Sequence, residues 1–169
     1  MKIFVVLLIL AGLGIGAYAY NAQISGNMGA PSSGVNTPSS TDTSGLTSVD
    51  YSNKGLTKFP ANVLSMTDTQ ALDLSHNALT GAIPAEIRFL QDLEVLNMSD
   101  NDMTGLPAEL GQLKKLRILN VSNNRLTGIP RELGDLSNLQ VLDLSGNDIS
   151  KQDLDVIRAR LPSSTQIIL

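Results

Sequence analysis

The phrase Leu-Asp-Leu-Ser-His-Asn at 72–77 returns as Leu-Asp-Leu-Ser-Gly-Asn at 142–147. Two close variants lie between them, Leu-Asn-Met-Ser-Asp-Asn at 96–101 and Leu-Asn-Val-Ser-Asn-Asn at 119–124. Self-similarity at a fixed spacing constrains a chain more than composition does, because every copy must meet the same neighbours. Counting from Val49 to Leu72, Leu96, Leu119 and Leu142, the periods are 23, 24, 23 and 23 residues. Five units follow one another from Leu46 to Ser150.

Each position of the unit answers a physical demand. Leu72/Leu74, Leu96/Met98, Leu119/Val121 and Leu142/Leu144 stand at i, i+2, so in a short strand both side chains point to one face. Stacked coil on coil, these faces form a core that no single unit could bury. Asn77, Asn101, Asn124 and Asn147 follow where the chain leaves the strand. An amide there can satisfy both the donors and the acceptors of a buried, turning backbone. Pro84, Pro107 and Pro130 then open segments expected to be short helical or 3-10 turns, with proline at the first helical position. Glu86, Glu109 and Glu132 complement the positive end of those turns.

The recurring L-x-x-L-x-L-x-x-N-x-L pattern resembles the leucine-rich repeat family, over about three-quarters of the chain. The resemblance implies an α/β solenoid, a horseshoe of about five repeats with a parallel sheet on its concave side. Leu-Thr-Gly-Ala-Ile-Pro at 79–84 is similar to the plant-receptor subclass, whereas the units with Leu106-Pro107 and Ile129-Pro130 lack its extra residue. Receptors of that subclass carry paired-cysteine caps and often a kinase domain. This sequence has no cysteine and no kinase segment, so a receptor kinase is not expected.

The end units depart from the pattern, as outer coils should. Lys54 stands where the first asparagine belongs. Leu154, Ile157 and Leu161 are spaced as one face of an amphipathic helix, which Pro162 is expected to end. Residues 165–169 read as a final edge strand, so 151–169 form a helix–strand cap on the repeats of 46–150.

Residues 1–20 carry one charge, Lys2, ahead of a run of uncharged, mainly apolar residues. Residues 3–20 approach the roughly 20 residues a transmembrane helix needs, and Ala17-Tyr18-Ala19 has the form of a signal-peptidase site. Two readings therefore stand: a membrane anchor, or a signal peptide cleaved after Ala19. In both, the rest of the chain is exported. Residues 21–45, rich in Ser, Thr, Gly, Pro and Asn, read as a disordered linker that lifts a domain off a membrane.

Function is sought on the strand residues that point away from the core. One row is Ser48, Ala71, Val95, Ile118 and Val141, an exposed apolar strip in expectation; beside it runs Asp50, Asp73, Asn97, Asn120 and Asp143. A serine row and a variable row of Asn53, His76, Asp100, Asn123 and Gly146 follow. The variable row, with Glu94 and Arg117, is the expected seat of partner specificity. Five strands at about 4.8 Å make a face that suits a peptide or a patch of a protein. The partner expected is thus a protein or peptide, bound by a monomer.

Other classes find little support. A net charge of −4 argues against nucleic acid. One histidine, His76, leaves acid–base or metal chemistry without a histidine partner, so no catalytic residue, metal or cofactor is expected. Sugar sites favour aromatic platforms, and aromatics are 4% of the chain, which weighs against the rival reading of a polysaccharide-binding envelope module. A secreted effector-like protein remains the other alternative.

Overall fold

The computed structural model describes residues 46–169. The expected anchor or signal at 1–20 and linker at 21–45 lie outside the described residues.

In chain order the elements are β1 (Ser48–Asp50), β2 (Ala71–Asp73), β3 (Thr80–Gly81), β4 (Val95–Asn97), β5 (Asp102–Met103), β6 (Ile118–Asn120), β7 (Val141–Asp143), α1 (Lys151–Arg158) and β8 (Gln166–Ile168). Strands β1, β2, β4, β6, β7 and β8 form one parallel sheet in that order. Its register pairs equivalent residues: Val49 with Leu72, Leu72 with Leu96, Leu96 with Leu119, Leu119 with Leu142 and Leu142 with Ile167. The sequence period is thus one turn of the solenoid. A one-residue slip would turn every leucine outward, so the apolar pattern fixes the pairing.

Four 3-10 helices return the chain along the opposite side, at Ala61–Ser65, Ala85–Phe89, Ala108–Gln112 and Arg131–Asp135. Pro60, Pro84, Pro107 and Pro130 precede them in extended conformation. The prolines therefore cap these helices rather than occupying their first position. At five residues each helix has one turn, and i→i+3 bonds close it more tightly than an α-helix would. Glu86, Glu109 and Glu132 lie in the first turns, as the charge argument requires. Successive turns pack closely: a Cβ added to Gly111 would come within 2.1 Å of the Glu132 carbonyl oxygen.

The core fills the space between sheet and turns. Leu72, Leu74, Leu96, Met98, Leu119, Val121, Leu142 and Leu144 are all at most 1% exposed. At the first coil Val49, Tyr51, Leu56 and Phe59 are only partly buried, because no coil among the described residues covers their outer side.

At the other end Ser150 Oγ accepts from Asp153 N–H at 3.1 Å and starts α1. Leu154, Ile157 and Leu161 are buried as the spacing predicted. The helix stops at Arg158, short of the expected end at Pro162; Ala159 serves as its C-cap. Strand β8 then closes the sheet on β7, with Leu144 N–H donating to Ile168 O at 2.9 Å.

Candidate functional site: the open face of the parallel sheet

The residues between the core leucines face away from the core and form the concave surface. Their conformations come from the turn that follows each strand. Asp50, Asp73, Asn97, Asn120 and Asp143 each accept, through Oδ1, from the serine N–H two residues on, at 2.8–3.2 Å. This local bond ends the strand. Across strands, Asn97 Nδ2 donates to both Asp73 oxygens at 3.3 Å.

One step later the chain turns into the asparagine ladder. Asn77, Asn101, Asn124 and Asn147 each donate through Nδ2 to three carbonyls, one of them in the preceding coil. Through Oδ1 each accepts from a backbone N–H of the preceding coil at 3.0 Å: Leu56, Leu79, Met103 and Leu126 respectively. Asn77 also takes Lys54 N–H at 3.0 Å, so the irregular first coil still uses its neighbour's amide.

The variable row has a backbone cause. Asn53, His76, Asp100 and Asn123 have φ of 52–55°, and Gly146 has φ of 70°. Asn, Asp, His and Gly tolerate this left-handed region best. The row therefore varies within a set that the turn itself selects. His76 Nδ1 lies 3.5 Å from Asp100 Oδ2, and Asn123 Nδ2 donates to Asp100 Oδ1 at 3.0 Å.

The apolar strip is narrower than the sequence suggests. Val95 and Ile118 are half-buried, but Ala71 and Val141 are each 4% exposed. Val141 pairs with Gln166 of β8, the sixth strand of the sheet. Asp73, Asn120 and Asp143 are also buried, whereas Asn97 and Asp100 are half-buried and His76 and Asn123 exposed.

Before the strands runs a lateral polar chain. Arg117 donates through Nη1 to Glu94 Oε2 at 3.2 Å and through Nη2 to Gln140 Oε1 at 3.5 Å. These three, with Lys115 and Asn138, line a shallow depression of about 290 Å³. Lys115 Nζ bonds Asp92 Oδ1 at 2.6 Å, and that bond, followed by the Asp92 charge, holds the amine above its ordinary pKa. Sequence reasoning passed over Gln140 and the Asp92–Lys115 pair. Their signal was the 23-residue separation that places side chains on adjacent coils.

The basic residues around the third and fourth units are each engaged. Lys114 donates to Gly111 O and Asp135 O, Arg125 pairs with Asp102 at 2.7 Å and Arg131 with Glu132 at 3.1 Å. Among the described residues, no three His, Cys, Asp or Glu side chains gather to hold a metal ion. Also among them, no helix is long and apolar enough to cross a membrane.

Comparison with known proteins agrees with this geometry. No curated protein matches the chain. A leucine-rich-repeat protein of Leptospira interrogans is 42% identical, with a TM-score of 0.62 over 67% of this chain and 28% of its own. The ectodomain of the Arabidopsis thaliana receptor kinase GASSHO1/SCHENGEN3, solved with CASPARIAN STRIP INTEGRITY FACTOR 2, is 35% identical with a TM-score of 0.55 over 66% of this chain. An internalin of Listeria monocytogenes is 25% identical, with a TM-score of 0.57 over 66% of this chain. The chain spans 28%, 13% and 31% of the lengths of these three proteins. The family description "Leucine-rich repeat region" matches residues 62–158. With its period, asparagine ladder and parallel sheet accounted for, the chain belongs to the leucine-rich repeat family.

Proposed function

We propose that the protein is an exported binding module that takes a protein or peptide on its concave face. The observation that carries this reading is a parallel sheet with one face in the core and the other unpartnered among the described residues. At the centre of the open face lie half-buried Val95 and Ile118, beside the Glu94–Arg117 pair. Apolar surface rimmed by polar groups favours contact with a partner. Support comes also from the receptor ectodomain solved with CASPARIAN STRIP INTEGRITY FACTOR 2 and from the PEPR1–AtPEP1 structure, in which PEPR1 is 32% identical to this chain.

The contact residues proposed are Ala71, Asp73, His76, Glu94, Val95, Asn97, Asp100, Arg117, Ile118, Asn120, Asn123, Val141 and Asp143. The buried members would act through their backbone and charge, and the half-buried and exposed ones by direct contact. Asn77, Asn101, Asn124 and Asn147 keep the ladder role and hold the face in shape. Residues 3–20 are proposed to tether the repeats outside the cytoplasm, with cleavage after Ala19 as the alternative.

Two measurements test this. The intact mass and membrane partition of the exported product separate a tethered chain from one lacking residues 1–19. A charged arm at the centre of the face, Ile118→Arg, is expected to abolish capture of the partner while the melting temperature holds; unchanged capture would remove the concave face from the account.

A further inference from the structure

We infer that the concave face is built for a positively charged partner, a Lys- or Arg-bearing peptide or protein segment. The inference rests on the concave-face reading above and adds the chemistry of the occupant. The chain has 16 carboxylates and 12 basic side chains, a net charge of −4. Five of the carboxylates, Asp50, Asp73, Glu94, Asp100 and Asp143, lie on this face, against one guanidinium, Arg117. The ten other carboxylates among the described residues are matched by ten basic side chains, so this face carries the whole net charge of those residues.

Folding does not require that charge. Asn97 and Asn120 make the same bond to the following serine N–H, at 3.2 and 3.0 Å, that Asp50, Asp73 and Asp143 make. An amide oxygen suffices at this position, and three strands nevertheless present a carboxylate. Asp73 and Asp143 keep theirs at 4% and 6% exposure, bonded by uncharged donors. Among the described residues, neither they nor Asp50 is in an ion pair, in contrast to Asp92, Asp102 and Asp135. A cationic segment lying across the strands would supply the missing charge, and its aliphatic stems would cover Val95 and Ile118.

The test pans a random peptide library on the full chain in detergent and compares three proteins: the parent, Ile118→Arg, and the triple variant Asp50→Asn, Asp73→Asn, Asp143→Asn. The expected result is enrichment of peptides with excess Lys and Arg. They should bind the triple variant about tenfold more weakly, as befits three negative charges removed from the face, and weaken as salt rises. Enriched peptides without excess positive charge, or equal affinity for the triple variant, would overturn the inference. If such peptides are still lost on Ile118→Arg, the concave-face reading survives alone. Peptides that Ile118→Arg retains bind elsewhere and sink both. Should the triple variant melt early, the exposed single change Asp50→Asn carries the same comparison at smaller amplitude.

Discussion

Asn101 Nδ2 lies 3.0 Å from the carbonyl oxygen of Leu74, a residue of the preceding coil. The same amide reaches Met98 O, Ser99 O and Leu79 N–H, so one side chain satisfies four backbone groups across two coils. Asn101→Ala would leave Leu79 N–H buried and unpaired, while Leu74 O, Met98 O and Ser99 O keep Asn77 Nδ2, Asn124 Nδ2 and His76 N–H as donors. A loss of about 1–3 kcal/mol is expected, the cost of one orphaned buried group. Asn147→Ala, at a half-buried position, should cost less. Urea unfolding of the two variants checks the ranking, and equal losses would refute the ladder as described.

Thr69 occupies the place that Leu93, Leu116 and Leu139 hold in later coils. It is 0% exposed, and its Oγ1 has no hydrogen-bond partner. Thr69→Val keeps the shape and removes the unpaired hydroxyl. A gain of about 1 kcal/mol is expected, read as a rise in the denaturation midpoint.

Gly111 sits where the next turn crosses it. A methyl there meets the Glu132 carbonyl oxygen at 2.1 Å and its carbon at 2.7 Å, neither of which a rotamer change can move. Gly111→Ala is expected to cost about 1–3 kcal/mol by overpacking, despite alanine's better helix propensity. Thermal melting that shows a gain would mean the turns are spaced more widely than described.

His76 tests the origin of the variable row. At φ 54° a β-branched side chain is strained. His76→Val should cost about 1–3 kcal/mol, whereas His76→Gly should be close to neutral. If both variants lose the same stability, the imidazole rather than the backbone decides the position.

Lys115 offers a pH test. Asp92 raises its pKa, so the pair's contribution is fully present below the ordinary lysine range and disappears as pH rises through the raised value. NMR titration of the amine should show its midpoint fall in Asp92→Asn. Glu132 runs the opposite way: its own backbone N–H and then Arg131 lower its pKa. Its contribution is present above the ordinary carboxylate range and is lost as pH falls through the lowered value.

Period and spelling were enough to place the strands, the core pairs, the ladder asparagines and the helix–strand cap. Those features depend on residues two apart in a strand or one period apart in the stack, and both distances are written in the chain. The unmatched serine, aspartate and asparagine rows were legible for the same reason. Exposure was not. Val141 looks as open as Val95 in its own unit, yet it is 4% exposed where Val95 is half-buried. Nor did spelling reveal that the variable row turns left-handed, since φ is set by the path each coil takes around its core. Charge pairing was also a tertiary outcome: Asp92, Glu94 and Asp102 neutralise Lys115, Arg117 and Arg125 only because the stack sets coils side by side. Which way each side chain points follows from local periodicity, and that is written in the chain. What stands beside it follows from the stack, because lateral neighbours come from other coils.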